Sequence, residues 1–279
     1  MKRFFITILS SALCLVSCRN LVLEDRILCP RFLVFLIENA GQFHSYDPLY
    51  VTVFNHPEGR FLDQDTTHVG AIVDQAFFFE VKGELAVRGF GLLGQDQGRL
   101  EGDSQWIIPQ GRESDPLFRF SYTAPTQEEA FIVPVELVKD YAHVSLQFTG
   151  IESFVTAEGH FPFGVRVTGN TCGIEALTGQ PVRGDFEYEP EEKNIGCFEF
   201  NLPRQADHTL RLELLAKPGL YDAPDQLVPF DLWALLKERG GITWEEKNLP
   251  DVELIVDYQE MSVSVNVTEW GQETLDYEF

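Results

Sequence analysis

Beyond residue 30 the chain alternates apolar and polar positions with a period of two, as strands do when one face meets a core and the other meets water. The plainest case is Met261–Trp270, where Val263, Val265 and Val267 point one way and Ser262, Ser264, Asn266 and Thr268 the other. Thr209–Leu214 repeats it, with Leu210, Leu212 and Leu214 inward and Arg211 and Glu213 outward. Leu49–Phe54, Leu117–Tyr122, Ala142–Phe148, Gly164–Thr168 and Val252–Tyr258 follow the same rule. Phe32–Ile37, Ala76–Val81 and Ile132–Val138 are more continuously apolar, which predicts strands covered on both faces. Pro, Gly, Asn and Asp punctuate these runs as turns. One helix is expected, capped by Asp231, carried by Leu232, Trp233, Leu235 and Leu236, and stopped by Gly240 and Gly241. A single short helix among so many strands predicts an all-β fold of antiparallel β-sandwiches. A sandwich of about seven strands takes roughly 100 residues. Two in tandem therefore fill the chain, as residues 18–150 and 151–279, with the helix in the second.

The first 17 residues have a different character. Lys2 and Arg3 form a charged end, Phe4–Val16 is an apolar run, and the small residue Ser17 follows, which is the build of a secretory signal. The run is shorter than the roughly 20 residues needed to span a bilayer. Leu15-Val16-Ser17-Cys18 matches a lipobox, so cleavage is expected ahead of Cys18 and a thioether-linked diacylglycerol on its sulfur. Several acyl chains on one residue hold a protein far better than a single chain does. Cys14 is excluded because the bulky Leu13 precedes it.

Charge narrows the partners. The 279-residue chain has a formal charge of −23, and without Lys2 and Arg3 it carries 19 basic and 44 acidic residues, near −25. Such a polyanion repels nucleic acid and anionic headgroups, so neither is an expected partner. The acids are scattered among apolar segments rich in phenylalanine, which marks a folded body and not an acidic tail. Of the remaining cysteines, Cys29 has no base beside it and reads as a packed thiol. Cys172 and Cys197 are close enough in sequence to form a disulfide in an oxidising compartment, worth about 3 kcal/mol; two buried free thiols are the alternative.

No pattern for catalysis, a metal or a cofactor emerges. Gly89-Phe90-Gly91-Leu92-Leu93-Gly94 has dinucleotide-loop spacing, but Gln95-Asp96-Gln97-Gly98-Arg99 reads as a polar turn where that site requires a helix. These glycines are therefore assigned to bulges and turns. His44, His56, His68, His143, His160 and His208 lack ligand spacing, and the carboxylates are too many for any pair to stand out, Glu187 with Glu189 or Glu245 with Glu246 included. Trp106, Trp233, Trp244 and Trp270 are expected in core or sheet-edge packing, with a sugar-stacking platform as the alternative. Asp65-Thr66-Thr67 resembles a short acceptor for O-glycosylation of exported proteins in the Bacteroides group, and Asn266-Val267-Thr268 is a formal N-glycan sequon inside a strand.

The order of segments resembles the FimB/Mfa2 family of fimbrial anchor lipoproteins of Bacteroidales. The likeness runs from the lipobox through Leu23–Pro30, Val135–Val138 leading into Ala142–Phe148, Tyr188-Glu189-Pro190 and Leu202-Pro203-Arg204. It ends in the helix Leu232–Arg239, the strand Val252–Tyr258 and the closing strand at Glu269-Trp270. The resemblance implies two transthyretin-like sandwiches without catalysis. It places them at the base of a pilus on the outer membrane, joined to a fimbrial shaft subunit by β-strand addition. No conspicuous arginine site for proteolytic trimming stands at a domain start, Arg26 and Arg31 being unremarkable, and the nine residues Gly271–Phe279 are short for a donated strand. The rival function is a surface lipoprotein that binds a glycan or host ligand.

Overall fold

Strands are numbered in chain order in the computed structural model, which describes residues 31–38, 43, 48–68, 78–81, 84, 86–126, 130–153, 155–217, 219, 226–260 and 262–269. The signal segment 1–17, Cys18, Arg26, Cys29, His44, Trp270 and residues 271–279 lie outside them. Sheet I has the order β4 (Phe78–Val81), β1 (Arg31–Ile37), β9 (Ala130–Val135). Sheet II runs β10 (Val138–Lys139), β8 (Phe118–Pro125), β5 (Ala86–Leu93), β2 (Leu49–Asn55), β3 (Phe61–Thr67). Sheet III runs β17 (Gln226–Phe230), β16 (Arg211–Ala216), β12 (Phe163–Glu175), β7 (Gln105–Ile107), β6 (Arg99–Glu101), with β13 (Gln180–Tyr188) on the other edge of β12. Sheet IV runs β14 (Glu192–Asn194), β15 (Cys197–Pro203), β11 (Tyr141–Thr149), β18 (Asp251–Asp257), β19 (Ser262–Thr268). The all-β expectation holds.

Alternation explains how the sheets pair into layers. Leu33, Phe35 and Ile37 of β1 and Phe131, Val133 and Val135 of β9 face Val51 and Val53 of β2 and Phe118, Phe120 and Tyr122 of β8, so sheets I and II enclose one core. Its centre is aromatic, with Phe35 edge-on to Tyr122 at 4.8 Å between ring centroids. Gly89 and Gly91 of β5 make room for these rings. A Cβ on Gly91 would lie 2.2 Å from the Phe120 ring, and one on Gly89 would lie 2.0 Å from the Thr52 carbonyl oxygen. Both sit in unbroken register with β2 and β8, so they are close-approach glycines and not bulges. Sheets III and IV enclose a second core of Val144, Leu146, Val165, Val167, Phe198, Phe200 and Leu254.

The one helix among the described residues, α1 (Leu232–Glu238), lies where the sequence puts it. The Asp231 carboxylate accepts from Ala234 N at 2.9 Å, a cap worth about 1 kcal/mol. Leu232 and Leu236 are fully buried in the second core.

Three features depart from expectation. The sheets are mixed: β1 pairs with β9, and β11 with β18, in parallel. Tyr141–Thr149, placed by alternation at the end of the first unit, is instead the central strand of sheet IV. The sheets therefore change over near Asp140 and not Gly150. The hairpin β6–β7, drawn from the midst of the first half, pairs with β12 in sheet III. Its Trp106 joins Phe54, Phe90, Leu92, Leu117, Ile174 and Ala176 in a third, smaller cluster between the halves.

Candidate functional site

The two halves meet around a set of buried charges. Lys139 ends β10 and Asp140 follows it, where the chain crosses from sheet II to sheet IV. The Asp140 side chain is 1 % exposed and accepts from Arg119 Nε at 2.8 Å and from Arg204 Nε at 3.0 Å. Arg119 belongs to β8 of the first half, while Arg204 follows β15 of the second. One carboxylate thus joins two guanidinium groups from opposite sides of the seam. Arg204 also donates to the carbonyl oxygens of Trp244, Glu246 (2.8 Å) and Lys247 (3.2 Å), which pins the loop between α1 and β18. Arg119 Nη1 donates to the Ala176 carbonyl at 3.2 Å, at the turn after β12.

Lys139 makes a second stitch. Its Nζ, buried, donates to the Leu249 carbonyl at 3.0 Å and to Asp251 at 2.7 Å, and lies 4.2 Å from the centre of the Tyr141 ring. Desolvation pushes its pKa down, against the pull of Asp251. Its backbone is held too, since Lys139 N donates to Asn248 Oδ1 and Leu249 N donates to Lys139 O. Nearby, Glu113 accepts from Asn201 N at 2.7 Å and lies 3.5 Å from the Tyr188 hydroxyl. Burial raises its pKa, although Asn201, His143 and Lys193 act the other way.

A cavity of about 570 Å³ opens at this seam. It is lined by Arg119 and Asp140, the β12–β13 turn, Arg183, Arg204–Ala206 and the loop Trp244–Lys247. The sequence does not group these charges because Arg119, Lys139-Asp140 and Arg204 stand far apart among strand residues. The available signals were Arg119, the polar partner between Phe118 and Phe120, and the adjacent Lys139-Asp140 between two apolar runs.

Several residues singled out in the sequence are accounted for by structure. Cys172 and Cys197 are not brought together as a disulfide: both are free thiols. Cys172 lies on β12 of sheet III, with its sulfur 3.8 Å from the Val182 carbonyl oxygen. Cys197 opens β15 of sheet IV beside Ile195, so the two belong to opposite layers. Trp106 and Trp244 are 8 % and 4 % exposed, too buried to form a sugar platform. Trp106 Nε1 donates to Asp115 at 2.9 Å, and Trp244 stacks on Trp233 at 5.8 Å. Gly94 is followed by a bend and then β6, with no helix for a nucleotide phosphate. Arg31 is 9 % exposed and bonds to Thr126 and to the Glu84 carbonyl, which removes it as a trimming site. Asp65-Thr66-Thr67 lies on β3, at the edge of sheet II, with Thr66 exposed. Among the described residues no group of His, Cys, Asp and Glu is placed to hold a metal, and no helix is long and apolar enough to cross a membrane.

Other surfaces offer contact rather than chemistry. Seven-residue β19 carries no charged side chain and closes one edge of sheet IV. On the outer face of sheet I, Leu36 is 55 % and Ile132 68 % exposed, although their strands are apolar on both faces.

This arrangement of sheets has known counterparts. The fold is shared with a fimbrial anchor protein. That structure, Mfa2 from Porphyromonas gingivalis, matches with a TM-score of 0.59 and 12 % identity over 85 % of this chain and 95 % of that one. A candidate polysaccharide-binding protein from Bacteroides thetaiotaomicron matches with a TM-score of 0.61 and 13 % identity, covering 87 % of this chain and 96 % of that one. A candidate adhesin from the same organism gives 0.55 and 12 %, over 86 % and 98 %. No protein-family profile matches the sequence, and no curated protein does. At these identities the likeness is one of fold.

Proposed function

We propose that this chain is a lipid-anchored, non-catalytic subunit of a cell-surface fimbria. It holds the fibre to the outer membrane through Cys18, with its body divided into two transthyretin-like sandwiches. The observation that carries the proposal is a combination: a lipobox closing on Cys18, followed by an all-β body whose fold matches a fimbrial anchor across nearly the whole of both chains. Main-chain hydrogen bonding along an open sheet edge is the means by which such a body joins a shaft subunit. Among the described residues β19 ends sheet IV with no charged side chain of its own, Arg239 donating to its Val263 carbonyl, and it suits that role because edges that must stay unpaired usually carry charges or proline.

The test replaces the lipid acceptor. In cells making Cys18→Ser, the protein is expected to leave the membrane fraction and appear in the medium, with fibres shed alongside it. Its thermal unfolding should match that of the unmodified chain. Fibres that remain on the cells at their usual number and length would overturn the proposal.

A further inference from the structure

The cavity at the seam has a chemistry that fibre anchoring does not use. The whole chain carries −23, yet the wall of this cavity carries four cationic side chains, Arg119, Arg183, Arg204 and Lys247, against three carboxylates. One carboxylate, Asp140, is wholly engaged by Arg119 and Arg204. The two guanidinium groups are 11 % and 9 % exposed, so their field is poorly screened by water, and their hydrogen bonds fix them before any ligand arrives.

Donors remain unspent. Arg119 uses Nε and Nη1 within the fold, while its Nη2 forms no hydrogen bond among the described residues. That nitrogen reaches the tip of the β12–β13 turn at Gly179, where φ is +75° and a Cβ would come within 2.3 Å of it. A side chain there would fill the space in front of Arg119. Arg183, which also lines the cavity, is 71 % exposed and stands 3.9 Å from Asp207. The Gln180 amide and Glu245 carboxylate also line the cavity without side-chain hydrogen bonds among the described residues. The site therefore pairs guanidinium groups, which grip a carboxylate by two parallel hydrogen bonds, with a neutral amide and an acceptor suited to hydroxyls. The volume lies within the range of small-molecule sites. Glu245 and Glu246 also line the cavity, and Lys247 and Arg183 have carboxylate partners in Glu136 and Asp207, so the wall has no excess of positive charge to hold a dianion, which favours a monoanion over phosphate.

We propose that this cavity binds an acidic saccharide, its carboxylate held by Arg119 and Arg183 and its hydroxyls by Gln180 and Glu245.

Titration calorimetry on the full chain in detergent tests this with three probes: α-1,4-digalacturonate, the uncharged α-1,4-galactobiose, and inorganic phosphate. Digalacturonate should bind saturably, with a Kd of about 1 mM or tighter. Galactobiose and phosphate should each bind at least about tenfold more weakly, the size of one lost charge-assisted contact. Arg183→Gln, at an exposed position the fold does not depend on, should weaken digalacturonate about tenfold without moving the unfolding temperature. Arg211→Gln, at a position that does not line the cavity, should leave digalacturonate binding unchanged. No saturable digalacturonate binding overturns the proposal. So does equal binding of galactobiose or phosphate, or equal loss in both arginine variants.

Discussion

Replacing Asp140 by asparagine keeps the shape of the side chain and removes one charge at the point where the two halves meet. The side chain is 1 % exposed and its two oxygens serve guanidinium groups that are themselves only 11 % and 9 % exposed. Asparagine retains one acceptor, but it leaves two buried cations facing each other with nothing to neutralise them. Breaking a buried pair by removing one partner costs about 3–5 kcal/mol, and the retained acceptor places this variant near about 3 kcal/mol. For a chain of this length that lowers the unfolding midpoint by roughly 6–12 °C. The comparator is Glu189→Gln, the same chemical change at the ion pair with Arg166, whose side chains are 34 % and 54 % exposed. There the loss should stay below about 1 kcal/mol, because water screens the pair and solvates whichever charge is left. Scanning calorimetry and urea unfolding on both variants supply the comparison. If Asp140→Asn costs no more than Glu189→Gln, the seam is held by its apolar cluster and the ion network is incidental.

Further outcomes follow from the same geometry. Lys139→Met should cost less than Asp140→Asn, about 1–2 kcal/mol, because the abandoned Asp251 is 43 % exposed and can hydrate. The depressed Lys139 pKa means the unfolded chain binds more protons between the folded value and 10.5. Stability of the unmodified chain should therefore rise with pH across that window, relative to the methionine variant, in urea midpoints compared from about pH 8 to pH 10. Glu113 has the opposite sign: its raised pKa makes the native state lose stability as pH climbs from 4.5 through the folded value. Glu113→Gln should thus match the unmodified chain in acid and exceed it near neutrality by urea unfolding; an advantage confined to acid would refute this. Gly89→Ala should cost about 3 kcal/mol or more by denaturant unfolding, because its Cβ would meet the Thr52 carbonyl at 2.0 Å and the Tyr122 hydroxyl at 2.5 Å. Gly111→Ala, at φ +75° with open space around it, should cost only about 1 kcal/mol.

Alternation located the strands well and their partners poorly, for one physical reason: period two reports which face of a strand is buried, not what buries it. Ser262–Thr268 and Asp251–Asp257 fall within a residue or two of the expected runs, and Asp231 caps the helix as its side chain suggests. Nothing in Val144 or Leu254 announces that their strands run parallel, because side chains alternate alike in either direction. The faces themselves were reversed at two places. The run Phe32–Ile37 looked covered on both sides, yet Leu36 stands half in water. The run Leu49–Phe54 looked half exposed, yet Thr52 is 1 % and Phe54 2 % exposed. The second reversal follows from the β6–β7 hairpin and the end of β12, which lay Trp106 and Ile174 over the back of sheet II. A contact made by residues more than 50 positions away leaves no trace in a local pattern. The charged seam was hidden by the same non-locality: Arg119, Asp140 and Arg204 become a group only when β8, the crossover and the end of β15 converge.

That convergence bears on how the molecule would carry load if it holds a fibre. The backbone passes from the first half to the second at Asp140, beside the ion cluster, and the β6–β7 hairpin enters sheet III from the opposite direction in sequence. The halves are thus joined by an in-sheet hairpin, an apolar cluster around Trp106, and two sets of buried polar bonds at Lys139 and Asp140. Separating them means stripping three backbone pairings between β7 and β12 and breaking the buried ion pairs of Asp140 before water can replace them. A flexible linker would instead let each half turn freely, as domains joined by small polar contacts usually do. The buried charges add little net stability of their own, since desolvation offsets much of their attraction. What they contribute is orientation, because a carboxylate gripped by two fixed guanidinium groups satisfies both in one arrangement of the halves. The same fixity presents Arg119 to the cavity, so the rigid seam and the proposed saccharide site depend on a single carboxylate.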